Sequence, residues 1–203
     1  IIIGVASVIT MIAIGSGARA AVDEQIDALG ASVLSVRAGS FMQMGVARSA
    51  ATLTIDDATA IARDTPSVRA VVPEIGGQQQ IKNGNRNENL RVVGVSANFA
   101  EVLGHEPAAG RLFSNADDAS RRTVAVLGSG VPAKLGSSSG AIVGQTVYIK
   151  GLAFEVVGVL AEKGASGFRN VDEQIWIPFY TARYRVYGTA QVDTISAQMA
   201  AGV

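Results

Sequence analysis

The sequence predicts an α+β fold behind a strongly apolar start, and three observations predict it. Short β-type runs and short helical runs follow one another without a regular βαβ repeat, which argues against a doubly wound sheet. Two hairpin signals, Asn83-Gly84 and Lys150-Gly151, stand between runs suited to strands. Ahead of both, Ile1 to Ala18 carries no charged residue.

The apolar start admits three readings. Ala18-Arg19-Ala20 has the small-x-small shape of a signal-peptide cleavage site. Gly15-Ser16-Gly17-Ala18-Arg19-Ala20 matches the G-x-G-x-x-A dinucleotide fingerprint after a buried strand. A strand of about fourteen residues would far exceed the usual five or six. The ribose-binding acid expected about twenty residues on is also missing, since that region reads Ser35-Val36-Arg37. The third reading is the tail of a membrane helix that continues outward. Val22, Ile26 and Leu29 recur at helical spacing, Asp23, Glu24, Gln25 and Asp27 take the other face, and Gly30 stands where a helix ends. A cleaved signal peptide needs no such continuity, so the third reading is preferred.

The elements that follow are short. Ser32 to Val36 reads as a strand, and Ala38 to Gly45 as a loop of small residues. Thr54 caps a helix whose start, Asp56-Asp57, suits the positive end of the dipole, and Pro66 ends it. Val68 to Pro73 reads as a short strand. Gln78 to Lys82 and Leu90 to Val95 read as hairpin arms around Asn83 to Asn89. Asn98 to Gly104 is helical, and a polar loop runs through Arg122. Thr123 to Leu127 is a strand, followed by a short helix with Pro132 in its first turn. Around Lys150-Gly151, Ile149 should face Leu152 and Val147 should face Phe154, giving one apolar row. Gln174 to Phe179 is a strand, Ala182 to Val186 is helical, and Gln191 to Ala197 is a last strand.

Composition removes several function classes. The 203 residues hold 17 basic and 17 acidic side chains, so no excess charge favours nucleic acid or anionic lipid. With no cysteine, disulfides, thiolate metal sites and a cysteine nucleophile are excluded. The single histidine, His105, excludes any two-histidine site and reads as a loop or helix-end residue.

The remaining motifs are weak chemistry. Gly128-Ser129-Gly130-Val131-Pro132-Ala133 is a second G-x-G-x-x-A between a strand and a helix, yet no acid follows and a hairpin replaces the parallel strand. Gly136-Ser137-Ser138-Ser139-Gly140 spells G-x-S-x-G in a serine-glycine loop, with the histidine before it instead of after. No P-loop is present. Asp56-Asp57 is explained by helix capping and Asp117-Asp118 by a solvated loop; neither has metal-ligand spacing. No catalytic, cofactor or metal residue is therefore expected. Phe41, Met42 and Met44 form one apolar cluster in a loop, a candidate contact for a partner or substrate.

Gly4-Val5-Ala6-Ser7-Val8-Ile9 is followed by Ala28-Leu29-Gly30 through Val36-Arg37-Ala38-Gly39, and then by Leu53-Thr54-Ile55-Asp56-Asp57-Ala58. Val93-Gly94-Val95, Gly110-Arg111-Leu112-Phe113 and Val124 to Gly128 come next. Val143 to Ile149, Phe154 to Leu160 and Ile175-Trp176-Ile177-Pro178 complete the series. In this order the blocks resemble the MacB-like ABC-transporter permease family, whose first transmembrane helix ends in a small-residue segment like the first block and whose later segments look like the others. The resemblance implies a two-lobed periplasmic domain after the end of a transmembrane helix. Residues 1–18 would be the helix end, 19–97 with 171–203 a porter-like lobe, and 98–170 a smaller inserted α/β lobe. It further implies mechanotransmission, in which the stalk from Ala18 to Leu29 carries cytoplasmic ATP hydrolysis into periplasmic movement for efflux or export. ATP and magnesium would be held by a partner ATPase subunit or domain. A second permease copy, a periplasmic adaptor and the bacterial inner membrane would be the other partners. The alternative class is a secreted or membrane-anchored ligand-binding module.

Overall fold

The computed structural model describes Met11 and residues 33–39, 42–43, 46–47, 52–166 and 169–200. Apart from Met11, the expected membrane helix and stalk lie outside the described residues. Among the described residues no helix is long and apolar enough to cross a membrane.

Nine strands build one mixed sheet. They are β1 (Val33–Arg37), β2 (Val68–Asn83), β3 (Arg86–Val95), β4 (Pro107–Gly110), β5 (Val124–Leu127), β6 (Thr146–Ile149), β7 (Leu152–Leu160), β8 (Gln174–Pro178) and β9 (Thr194–Met199). The helical pieces are α1 (Ile55–Asp64), α2 (Phe99–Leu103), α3 (Asn115–Ala119), α4 (Val131–Lys134), α5 (Ser139–Ile142), α6 (Phe179–Thr181) and a π-helical turn, Ala182–Tyr187.

The sheet closes on itself. β2 pairs β3, β3 pairs β8, β8 pairs β5, β5 pairs β7 and β7 pairs β6. β6 then returns to β2, with Ile149 opposite Ile81. The period-two alternation of strands explains why the ring fills. Leu90 and Val92, Ala125 and Leu127, Val147 and Ile149, Phe154 and Val156, and Ile175 and Ile177 fall in one buried cluster. The alternate residues Val93, Val95, Val124, Val126, Val157 and Trp176 form a second cluster on the other face, with Phe99 and Phe113. Strand β8 is buried on both faces because it sits in the middle of this sheet.

Outside the ring, β9 pairs the first half of β2, β1 pairs β9, and β4 pairs β7. The described residues from Val33 onward form one compact unit. Strands from 98–170 and from its flanks share the sheet, and the two-lobed division is not confirmed by it.

Several expectations hold in detail. Thr54 caps α1 with a capping box: its hydroxyl accepts from the Asp57 N–H, and the Asp57 carboxylate accepts from the Thr54 N–H at 2.7 Å. Ile149 does face Leu152, and Val147 faces Phe154. Other expectations need correction. Val68–Pro73 and Gln78–Lys82 are one continuous strand, β2. Pro73 is tolerated because the β3 ladder stops at Glu74, so one edge of Pro73 has no pairing to break. The hairpin loop is only Gly84 and Asn85, with Asn83 opposite Arg86. The last strand divides into Gln191–Val192 and β9, and Thr194 and Ser196 are buried; the Ser196 hydroxyl donates to Glu74 at 2.8 Å.

Candidate functional site: an arginine and tyrosine surface on a capped aspartate pair

The stretch read as a polar loop folds as α3, and Asp117 and Asp118 are buried, not solvated. The missed signal was Ser114-x-x-Asp117, a capping box. Asp117 Oδ2 accepts from the Ser114 N–H at 2.9 Å, the Ser114 hydroxyl at 3.0 Å and Arg111 at 2.9 Å. Its Oδ1 accepts from Arg122 at 3.1 Å. Burial alone would raise the Asp117 carboxyl, but the bonds from Arg111 and Ser114 hold it down at about 2. Asp118 has the opposite balance: burial pushes its carboxyl up, against the single N–H bond from Tyr180 at 2.8 Å.

A pH dependence follows from Asp117. Its folded value lies below the ordinary value of 3.8, so its contribution is full above that value and is lost as pH falls toward about 2. Asp117→Asn is expected to cost about 2 kcal/mol near neutrality, and the variant should lack this acid limb. Urea midpoints across the pH range check both statements.

The end of α3 sets the surface. The Arg122 N–H donates to Asp117 O at 2.9 Å and the Arg121 N–H to Asp118 O at 3.0 Å, the bonding of a Schellman stop. The residue in the left-handed position of that stop is Arg121, at φ 52°. Glycine is the residue that suits this position, and an arginine there costs about 1 kcal/mol.

Asp118 and Arg122 then tie α3 to α6. Besides the Tyr180 bond, the Thr181 hydroxyl donates to Arg122 O at 2.9 Å. Tyr180 and Tyr184, one helical step apart, stack at 6.4 Å with their rings 17° from parallel, and both are exposed. The Arg121 guanidinium lies 4.3 Å from the Tyr184 ring centre and that of Arg183 lies 5.2 Å away. Beside them a cavity of about 470 Å3 is lined by Arg121, Arg122, Arg185, Thr123, Thr146 and Glu155. The only carboxylate of that lining, Glu155, stands 3.8 Å from Arg122.

The motifs singled out in the sequence resolve differently. The Gly128 turn does join a strand to a helix, but its donors are used. The Gly128 N–H donates to Gln174 O at 2.8 Å and the Gly130 N–H to Asp172 O at 2.9 Å. A Cβ on Gly128 would stand 2.4 Å from Asp172 O. The glycines admit the chain's own backbone where a phosphate would need to sit. Ser138 is the N-cap of α5 and follows no strand. Met42 lies in a two-residue strand paired with Val46–Ala47, in place of the expected loop, while Phe41 and Met44 lie outside the described residues. Two further cavities, about 530 Å3 beside Lys82 and Tyr148 and about 350 Å3 beside Arg91 and Glu173, are also open to solvent.

His105 follows α2 and is buried, with its ring 5.3 Å from Trp176 and 6.1 Å from Phe99. Burial, then the charge of Lys163, lowers its value to about 4, against an opposing pull from Asp172. The unfolded chain therefore takes up this proton first, and stability falls as pH drops from about 6.5 toward about 4, by roughly 2 kcal/mol after allowance for screening. As the single histidine, its NMR resonance reports the titration without overlap.

Comparison with known proteins gives a consistent set. The family described as MacB-like periplasmic core domain matches residues 1–203. The Macrolide export ATP-binding/permease protein MacB of Bdellovibrio bacteriovorus is 35% identical over 202 residues, covering 98% of this chain and 31% of that protein. The MacB of Azoarcus sp. is 39% identical over 203 residues, covering 97% of this chain and 30% of that protein. The Pyoverdine export ATP-binding/permease protein PvdT of Pseudomonas aeruginosa is 38% identical over 199 residues, covering 96% of this chain and 29% of that protein. The chain thus spans under a third of the length of these relatives. The crystal structure of the periplasmic region of MacB from Actinobacillus actinomycetemcomitans superimposes with a TM-score of 0.74 at 19% identity, over 89% of this chain and 80% of that one. The extracellular domain of the Gram-positive transporter YknZ superimposes with a TM-score of 0.67 at 18% identity, over 84% of each chain.

Proposed function

The chain belongs to the MacB-like periplasmic core domain family, and from that premise we propose that it couples cytoplasmic ATP hydrolysis to periplasmic conformational change during export. One observation carries this reading. β1 and β9 pair from Val33 opposite Gln198 to Arg37 opposite Thr194, so both ends of the compact unit leave through one ribbon. β9 in turn pairs β2, a strand of the closed ring. A displacement applied at either end reaches the ring through backbone ladders, not through a loosely attached loop.

In this reading the domain faces the periplasm or cell exterior from the bacterial inner membrane and performs no chemistry itself. ATP and magnesium belong to an ABC ATPase subunit or domain. A second permease copy and a periplasmic adaptor complete the assembly. The names of the relatives concern macrolides and pyoverdine; export is carried over, and no cargo is assigned.

The 203 residues contain no cysteine, so an introduced one is unique within this chain. Leu34→Cys places a spin label on an exposed position of β1. In the full-length permease assembled with its ATPase, the distance between labels on two copies should shift by about 5 Å on ATP binding. An unchanged distance refutes the coupling.

A further inference from the structure

We propose that the surface made by Tyr180, Tyr184, Arg121, Arg183 and Arg185 binds an acidic peptide segment of a partner protein. The proposal stands independently of ATP coupling and is tested without nucleotide.

Charge is the first ground. Among the described residues Arg121, Arg183 and Arg185 make no ion pair, and Arg122 shares its guanidinium between Asp117 and Glu155. Three unpaired arginines and one opposing carboxylate leave a positive surface on a chain with no net charge. Exposed tyrosines and arginines are the residue types that dominate binding energies at protein interfaces. The hydroxyls of Thr123 and Thr146 beside the cavity add hydrogen-bonding groups suited to carboxylates.

Backbone strain is the second ground. Arg121 occupies a left-handed helix stop where glycine would relieve the chain. The conformation sets its guanidinium against Tyr184 at the rim of the cavity. Strain retained at such a point is a pointer to a role for the side chain.

The described residues of a second copy offer this surface no acidic run. Most described acids are already engaged: Asp64 with Arg63, Glu101 with Arg69, Glu173 with Lys134, and Asp172 and Asp193 with backbone N–H groups. Those outside such contacts, Asp56, Glu88, Glu106 and Glu162, are scattered on separate segments. A partner bringing its own acidic run supplies what the described residues lack.

The test uses the full chain in zwitterionic nanodiscs and a short labelled peptide of glutamate and glycine, followed by fluorescence anisotropy. Inorganic phosphate and dihexanoyl phosphatidylglycerol serve as competing anions. The peptide should bind, and should weaken at least roughly tenfold when salt rises from about 50 to about 500 mM. The double variant Arg121→Glu, Arg185→Glu should weaken it by at least roughly tenfold, and Arg63→Glu, on α1, should not. Arg121→Gly provides a separate readout: it should raise the melting temperature while weakening the peptide. Absence of peptide binding, or binding indifferent to Arg121 and Arg185, overturns the proposal. Phosphate or the soluble lipid binding as tightly as the peptide also overturns it, in favour of a small-anion or headgroup site.

Discussion

Phe154→Ala is expected to destabilise the domain by about 3–5 kcal/mol, the range for removing a fully buried phenylalanine. Phe154 is 0% exposed and lies on β7, whose partners on its two sides are β5 and β6. Its ring packs in the cluster shared by all the strands of the closed ring. An alanine there leaves a cavity that no single flank can fill, because each wall is tied to the next by a ladder. Tyr148→Ala on the paired strand is the control. Tyr148 is 46% exposed and should change stability by less than about 0.5 kcal/mol. Urea midpoints decide it: a loss at Phe154 as small as that at Tyr148 would mean that the ring interior is not packed as described.

Gly94→Val is expected to cost about 3 kcal/mol or more and to disturb the arginine and tyrosine surface as well. The Cβ of any residue at 94 would stand 2.1 Å from the Ala182 Cβ. Glycine lets the π-helical turn lie directly on β3 and β2. There the Tyr187 hydroxyl donates to Val92 O at 2.6 Å and also reaches Gly77 O. A valine lifts that turn, breaks the Tyr187 anchor and moves Tyr184 and Arg185 away from Arg121. The stability loss and any loss of peptide binding should therefore appear together. A variant with native stability would show that the close approach at Gly94 is not required.

Local chemistry made part of this legible from sequence. The Lys150-Gly151 turn and the alternation around it fix the register of β6 on β7, and Thr54 marks the start of α1. The return of β6 onto β2 could not be read, because Ile81 and Ile149 are far apart in sequence and each pairs locally with another strand. Proline also misled: Pro73 looked like a strand end, yet it sits inside β2 where one edge carries no ladder. The surface site was hidden for a related reason. Tyr180 and Tyr184 carry helical spacing in the sequence, but Arg121 reaches them only through tertiary contacts made by Asp118 and Arg122. In the Asp117-Asp118 pair charge suggests solvent, while Ser114, three residues before Asp117, signals a cap. The family resemblance rests on the order of blocks, and the match over residues 1–203 bears out the family.

The ribbon of β1 and β9 and the closed ring are expected to respond as one body. Native-state hydrogen exchange tests it most directly. If the claim holds, amides of the β1–β9 ladder, such as those between Val36 and Ile195, open with a free energy close to that of the β3–β8 ladder between Val92 and Ile175. If β1 and β9 open several kcal/mol below the ring, force at the chain ends would peel the edge before moving the domain, and the account would be contradicted.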